Sequence, residues 1–284
     1  MAKNNFFKVL YGLFFYFSIH AGIIAVAWSY TICLYFKFSI DFFDYVFLFF
    51  AVLLVYNFDR TKQSKITDTI NVPKRTLFLN RHKTLGMAVL GISAVFSIYF
   101  SRYLSFHSFI LFFLMGSITV LYFFLASIVV KKTIILAFQK PILLAFVWSS
   151  VVSFFPFAFA KLEIPLYDLS VLWLERFIIF FINALWFDFR DRKGDQITHK
   201  LNPAVLIPER IYYFLLIGFP FLGLALSLLD IHFYNSIGLS IYFVILGVLN
   251  YADIIKRFVQ KEEFYDLFVD LPLLISPILM ILVI

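Results

Sequence analysis

Residues 188–195 read Asp188-Phe189-Arg190-Asp191-Arg192-Lys193-Gly194-Asp195 and close a long apolar run. The whole chain is 63% hydrophobic and only 14% charged, so three carboxylates and three cations in one short segment need a reason. If the preceding helix continues through it, Asp188, Asp191 and Asp195 recur at i, i+3 and i+7. At about 100° per residue they share a stripe about 60° wide. Three like charges on one stripe repel unless a cation sits among them. Mg2+ suits that task, being a hard ion held typically by one or two carboxylates together with substrate phosphates. The plainer alternative is a solvated helix end whose aspartates pair with Arg190, Arg192 and Lys193.

A second polar stretch, 57–83, carries Asn57, Asp59, Arg60, Asp68, Asn71, Lys74 and Arg75. Its cations could face phosphate oxygens. Asp68, Asn71 and Arg75 share a face of a helical turn, although Pro73 argues against a long regular helix. Asp59 and Asp68 are nine residues apart and converge only if the loop bends. A basic loop resting on anionic lipid headgroups is the alternative.

The elements that must position these residues belong to a membrane. Mean hydropathy is +0.94, and aromatic residues make up 21% of the chain, with 41 Phe and 16 Tyr. Apolar runs able to cross a hydrocarbon core of about 30 Å recur about nine times. They cover 9–33, 42–56, 84–100, 108–130, 141–160, 169–187, 211–229, 236–255 and 267–284. The runs are continuous, without the in-out alternation of membrane strands, so they read as helices. With the N-terminus placed in the cytoplasm, 20 of the 24 Lys and Arg residues fall on the cytoplasmic side. Only Lys37, Arg102, Lys161 and Arg176 fall opposite. This positive-inside bias predicts an N-in, C-out topology with both polar stretches cytoplasmic. The net charge of +7 then reflects topology and lipid contact rather than nucleic acid.

Ala25-Val26-Ala27 resembles a signal cleavage site, but the apolar run continues to Phe36, too long for a signal core, so it reads as the first membrane helix. Cys33 is the only cysteine, which excludes intrachain disulfides and thiolate clusters. Nothing marks a second domain within 1–284. Glu175 and Arg176 read as interface residues near the outer end of the sixth run. Asp266 and Asp270 read as solvated residues at the start of the ninth, with a functional role as the alternative. His82 and His199 have no ligand spacing with another His, and no phosphate-binding Gly loop, HExxH or Ser-His-Asp pattern is present.

The two polar segments resemble the aspartate-rich motifs of the UbiA-type membrane prenyltransferase superfamily. Asp188-x-Arg190-Asp191-x-x-Gly194-Asp195 matches the second motif closely. The first is degenerate: Asn57 and Asp59-Arg60 survive, Thr61 and Gln63 stand where acids are common, and Asp68, Asn71, Pro73 and Arg75 partly echo the downstream segment. The resemblance implies an all-α bundle of about nine transmembrane helices around a central, laterally open cavity. It implies transfer of an isoprenyl chain from an isoprenyl diphosphate to a small or lipidic acceptor, assisted by Mg2+. Asp59, Asp68, Asp188, Asp191 and Asp195 would hold the metal, the last three as the catalytic set. Asn57, Arg60, Lys74, Arg75 and Arg190 would bind the diphosphate. The competing classes are a non-catalytic isoprenoid- or lipid-binding protein, left open by the missing acids, and a transporter. A transporter should show interrupted spans in corresponding halves, and no internal repeat is readable.

Overall fold

The computed structural model describes residues 2–61, 66–128, 133–158, 166–229 and 262–283, and every regular element among them is helical. In lipid, backbone N–H and C=O groups find no water, so a spanning segment must satisfy them within itself. Helix α1 (Ala2–Tyr11) runs into a π-turn (Gly12–Tyr16) and is followed by α2 (Ile19–Tyr35) and α3 (Phe42–Thr61). Two short helices, α4 (Ile66–Asn71) and α5 (Pro73–Arg81), precede α6 (Lys83–Ser101), α7 (Phe106–Ile128) and α8 (Ile134–Phe154). Next come α9 (Leu166–Ile197), α10 (Pro203–Leu206) and α11 (Glu209–Leu229). The last described segment holds α12 (Glu262–Tyr265), a second π-turn (Asp266–Asp270) and α13 (Leu271–Val283).

Among the described residues, four helices (α3, α6, α8 and α9) are long and apolar enough to cross a membrane, and the bent α1–α2 pair makes a fifth. The expected runs 108–130, 211–229 and 267–284 coincide with α7, α11 and α13. The run 236–255 lies outside the described residues, as do Lys62, Lys65, Lys131, Lys132, Lys161, Lys256, Arg257 and Lys261.

Two expectations change. The run 9–33 is not one straight helix: it bends by 54° between Tyr16 and Ile19. Ser18 takes a left-handed conformation at φ 60°, and the freed Phe17 carbonyl is satisfied by Asn57 Nδ2 at 2.9 Å. Arg60 donates to the Phe15 and Tyr16 carbonyls. Side chains of α3 thus replace the hydrogen bonds that the bend removes. Secondly, Asn57, Asp59 and Arg60 belong to the C-terminal end of α3 rather than to a loop, and residues 66–71 and 73–81 of that stretch form α4 and α5. Pro73 occupies the first position of α5, where its missing N–H costs nothing.

Helix α9 is the axis of the bundle. Of its most apolar window 72% is buried, against 17% for α6. Helices α8, α11 and α4 pack on it, and α2 sits against α3, α8 and α13. The central core joins Ile179, Ile182 and Leu185 to Trp28, Tyr212, Leu216 and Leu273. In lipid such contacts gain dispersion and packing rather than water release. Outward positions such as Ile98, Phe113 and Phe214 remain exposed, as a lipid-facing surface requires.

Candidate functional site

Helix α9 continues unbroken to Ile197, so the three aspartates do share one helix. Their surroundings differ. Asp188 is 1% exposed and accepts from Lys140 Nζ of α8 at 2.7 Å. Asp191 is gripped through both oxygens by the neighbouring Arg190, at 2.8 and 3.2 Å. Asp195 accepts from Asn202 Nδ2 at 2.8 Å, and the same amide nitrogen donates to the Asp188 carbonyl at 2.8 Å. Protein cations and one amide therefore relieve the repulsion along the stripe. Of the three, only Asp191 borders the central cavity.

Helix α4 docks directly on this part of α9. Gly194 N–H donates to Asn71 Oδ1 at 2.7 Å, and Lys200 Nζ donates to Thr67 Oγ1 at 2.9 Å. Gly194 has no side chain for a physical reason: a Cβ there would collide with the Asn71 amide. The chain then turns at Val72 into α5, whose first free N–H groups, those of Lys74 and Arg75, donate to Glu262 at 2.9 and 2.8 Å. Glu262 thus caps α5 from a remote part of the sequence and places a carboxylate at its positive end. Burial pushes this carboxyl above its ordinary pKa, opposed by the two N–H donors.

The bend in α1–α2, the end of α3, the α4–α5 pair, α8, α9 and the second π-turn together enclose a cavity of about 250 Å³. Asp59, Arg60, Asp68 and Arg75 line it from one side, Arg190, Asp191 and Lys140 from another. Burial, and next the Arg190 guanidinium, hold Arg75 below its ordinary pKa. Two cations brought together out of water are poised for an anion.

Sequence reasoning missed the third side. Asp266 and Asp270 are not solvated ends; they line the cavity. Tyr11 hydroxyl donates to Asp266, while Asp270 meets His20 Nε2 at 3.2 Å and Asn183 Nδ2 at 3.3 Å. His20 and Asn183 lie within apolar runs, where a single polar residue was the only available signal. Lys140 was assigned only to topology. The closing of α1–α2 against α13 that brings His20 to Asp270 joins residues 250 apart in sequence.

Other expected site residues lie elsewhere. Asn57, 2% exposed, is committed to the Phe17 and Leu53 carbonyls at the helix bend. Lys74 borders a separate groove between α1 and α5. Glu175 and Arg176 are not interface residues, since both are fully buried. Arg176 donates to the Leu172 carbonyl at 3.1 Å and Thr31 Oγ1 at 3.2 Å, with its guanidinium 5.3 Å from the Trp28 ring centre.

Beyond Tyr56 and Trp148 lies a second, apolar cavity of about 150 Å³ between α3, α7 and α8, bordered by Val52, Val55, Phe112, Met115 and Val151. Tyr56 and Trp148 border both cavities, and Trp148 Nε1 donates to the Tyr56 hydroxyl at 3.0 Å. The pair is a partition between a charged compartment and a greasy one.

No group of three or more His, Cys, Asp or Glu side chains among the described residues forms a metal cage on its own. A metal fits only if a ligand completes its coordination. The charge of the cavity lining fits such an ion: Asp59, Asp68, Asp191, Asp266 and Asp270 stand with Arg60, Arg75, Lys140 and Arg190, five carboxylates against four cations. A multiply charged anion entering alone would face a net negative wall.

No family model matches the chain, and no curated protein matches it in sequence. A solved structure described as giving structural and mechanistic insights into digeranylgeranylglyceryl phosphate synthase in membranes shares the fold. It aligns at TM-score 0.51 and 16% identity, over 92% of this chain and 93% of the other. The chain is therefore an all-α integral membrane protein that shares the fold of that synthase.

Proposed function

We propose that the chain transfers an isoprenyl group from an isoprenyl diphosphate to a small or lipidic acceptor. The observation that carries this reading is the paired compartments: a charged cavity rich in Arg and Asp adjoins an apolar one across the Tyr56–Trp148 partition. A diphosphate head and a hydrocarbon tail need that juxtaposition. The shared architecture with a prenyltransferase supports it.

In this reading Arg75, Arg190 and Lys140 bind the diphosphate, and Arg60 fixes the bent α1–α2 wall around it. Mg2+, held by Asp59, Asp68 and Asp191 together with diphosphate oxygens, would supply the Lewis-acid charge that eases departure of the leaving group. Asp188 and Asp195 position α9: one ties it to α8 through Lys140, the other to α10 through Asn202. The low-dielectric cavity strengthens the hold of Arg75 and Arg190 on charge developing at the bridging oxygen. On the other side, the Trp148, Phe180 and Tyr56 rings border the space where the allylic carbon becomes cationic. Each such face stabilises a cation by about 0.5–2 kcal/mol. Apolar walls exclude the water that would otherwise capture it. Both polar segments and the N-terminus are taken as cytoplasmic, with the C-terminus opposite.

A second reading keeps the binding and drops the transfer, favoured by Thr61 and Gln63 at positions where the family often carries acids. Diphosphate release decides between them. Purified protein supplied with isoprenyl diphosphates of graded length, Mg2+ and candidate acceptors is expected to release diphosphate, and Asp191→Asn to lower release by about 100-fold or more. Thermal stabilisation by the donor without any release would favour the binding protein. Neither effect would refute both readings.

A further inference from the structure

A groove of about 770 Å³ lies outside the cavity, between α1 with its π-turn and α5. Its charged borders are all of one sign: Lys8, Lys74 and Arg81, with His82 beside them and no carboxylate. Between the cations stand Phe7 and Leu77, 61% and 70% exposed. The floor is Phe78, whose ring packs so tightly on the π-turn that a Cβ at Gly12 would collide with it. The α1 segment departs by 54° from the direction of α2, and α5 joins two spanning helices without spanning itself. Phe7 and Lys8 stand at the start of one candidate crossing segment and α5 lies between two others, the positions at which an amphipathic surface would meet headgroups and acyl chains.

From this geometry we infer that the groove is a binding site for an anionic phospholipid. The headgroup phosphate lies among Lys8, Arg81 and Lys74, and an acyl chain covers Phe7 and Leu77. Charge of one sign selects an anion, and the exposed apolar side chains between the charges select an amphiphile over free phosphate. The volume suits a headgroup with the upper part of its chains. Tyr16 borders both groove and cavity, so an occupied groove backs one wall of the cavity. The inference does not depend on prenyl transfer.

The test uses the full-length protein in nanodiscs of phosphatidylcholine alone or with phosphatidylglycerol, and native mass spectrometry of the lipids retained after release. Wild type is expected to prefer phosphatidylglycerol over phosphatidylcholine by on the order of tenfold. The double variant Lys8→Gln/Arg81→Gln should lose that preference. Arg210→Gln, an exposed cation outside the groove, should keep it. Circular dichroism and thermal melts confirm that all variants are folded, and Lys8→Arg serves as a charge-preserving rescue. Equal retention of the two lipids by wild type would overturn the inference. So would a preference that survives the double variant, one lost equally in Arg210→Gln, or displacement of phosphatidylglycerol by an equal concentration of inorganic phosphate.

Discussion

Arg190 holds both oxygens of Asp191, and the two stand together in the wall of the cavity. A guanidinium paired through two hydrogen bonds keeps its orientation, and so does the carboxylate it holds. Asp191→Asn preserves the shape but halves the hydrogen-bond geometry, and release of diphosphate is expected to fall about 100- to 1000-fold. Arg75→Gln should fall similarly while leaving the capping contact made by its own backbone N–H to Glu262 intact. A melting temperature close to wild type in Arg75→Gln separates lost binding from lost structure. Gly194 is a different kind of residue, since it touches no cavity. Gly194→Ala drives a methyl group into Asn71, and overpacking of this kind costs about 1–3 kcal/mol. A lowered melting temperature, restored in part by Asn71→Gly in the same chain, would identify the close approach of α4 and α9 as the cause.

At the scale of elements, irregular helix is where the site is made. The two π-turns, Gly12–Tyr16 and Asp266–Asp270, flank the cavity and carry Phe15, Tyr16, Asp266 and Asp270 into its lining. Wider turns of this type commonly occur at functional sites because they re-aim side chains and free carbonyls. Here Arg60 and Asn57 satisfy the freed groups. Trp148 of α8 and Tyr56 of α3 close the way to the apolar cavity by one hydrogen bond and by bulk. Trp148→Ala removes both and merges the two spaces. The expected outcome is acceptance of isoprenyl diphosphates longer than the wild-type optimum, read as a shift in the kcat/KM ranking across donor lengths. Tyr56→Phe, which removes only the hydroxyl, should shift the ranking less. An unchanged ranking in Trp148→Ala would exclude this route for the tail.

At the scale of the molecule, the positive-inside bias predicts how the bundle is oriented and hence from which side the proposed diphosphate head would enter the cavity. With the N-terminus cytoplasmic, position 193, just before the α4–α9 contact, faces the cytoplasm, and position 106, at the start of α7, faces away. Cys33 is 2% exposed and gives little background to thiol reagents. A membrane-impermeant maleimide applied to intact cells should therefore label Phe106→Cys and spare Lys193→Cys. The opposite pattern would invert the orientation and the access route together.

Membrane residence and helical class were determined by the sequence itself. Continuous apolar runs of spanning length, without the alternation of membrane strands, satisfy their backbone in lipid as helices. The concentration of aspartates at 188–195 and the basic stretch at 57–83 were legible for a related reason, because charge is costly near lipid and stands out against an apolar background. The partition of roles was not legible. Asp188, Asp191 and Asp195 have the same spacing logic, yet Lys140, Arg190 and Asn202 give them three different fates, and those partners are fixed by helix packing. His20 and Asp270 are 250 residues apart, and only the bend at Ser18 and the π-turn before α13 bring them into one wall. Local periodicity carries no information about either event. Each depends on carbonyls freed by one helix being met by side chains of another, which is a property of the folded bundle alone.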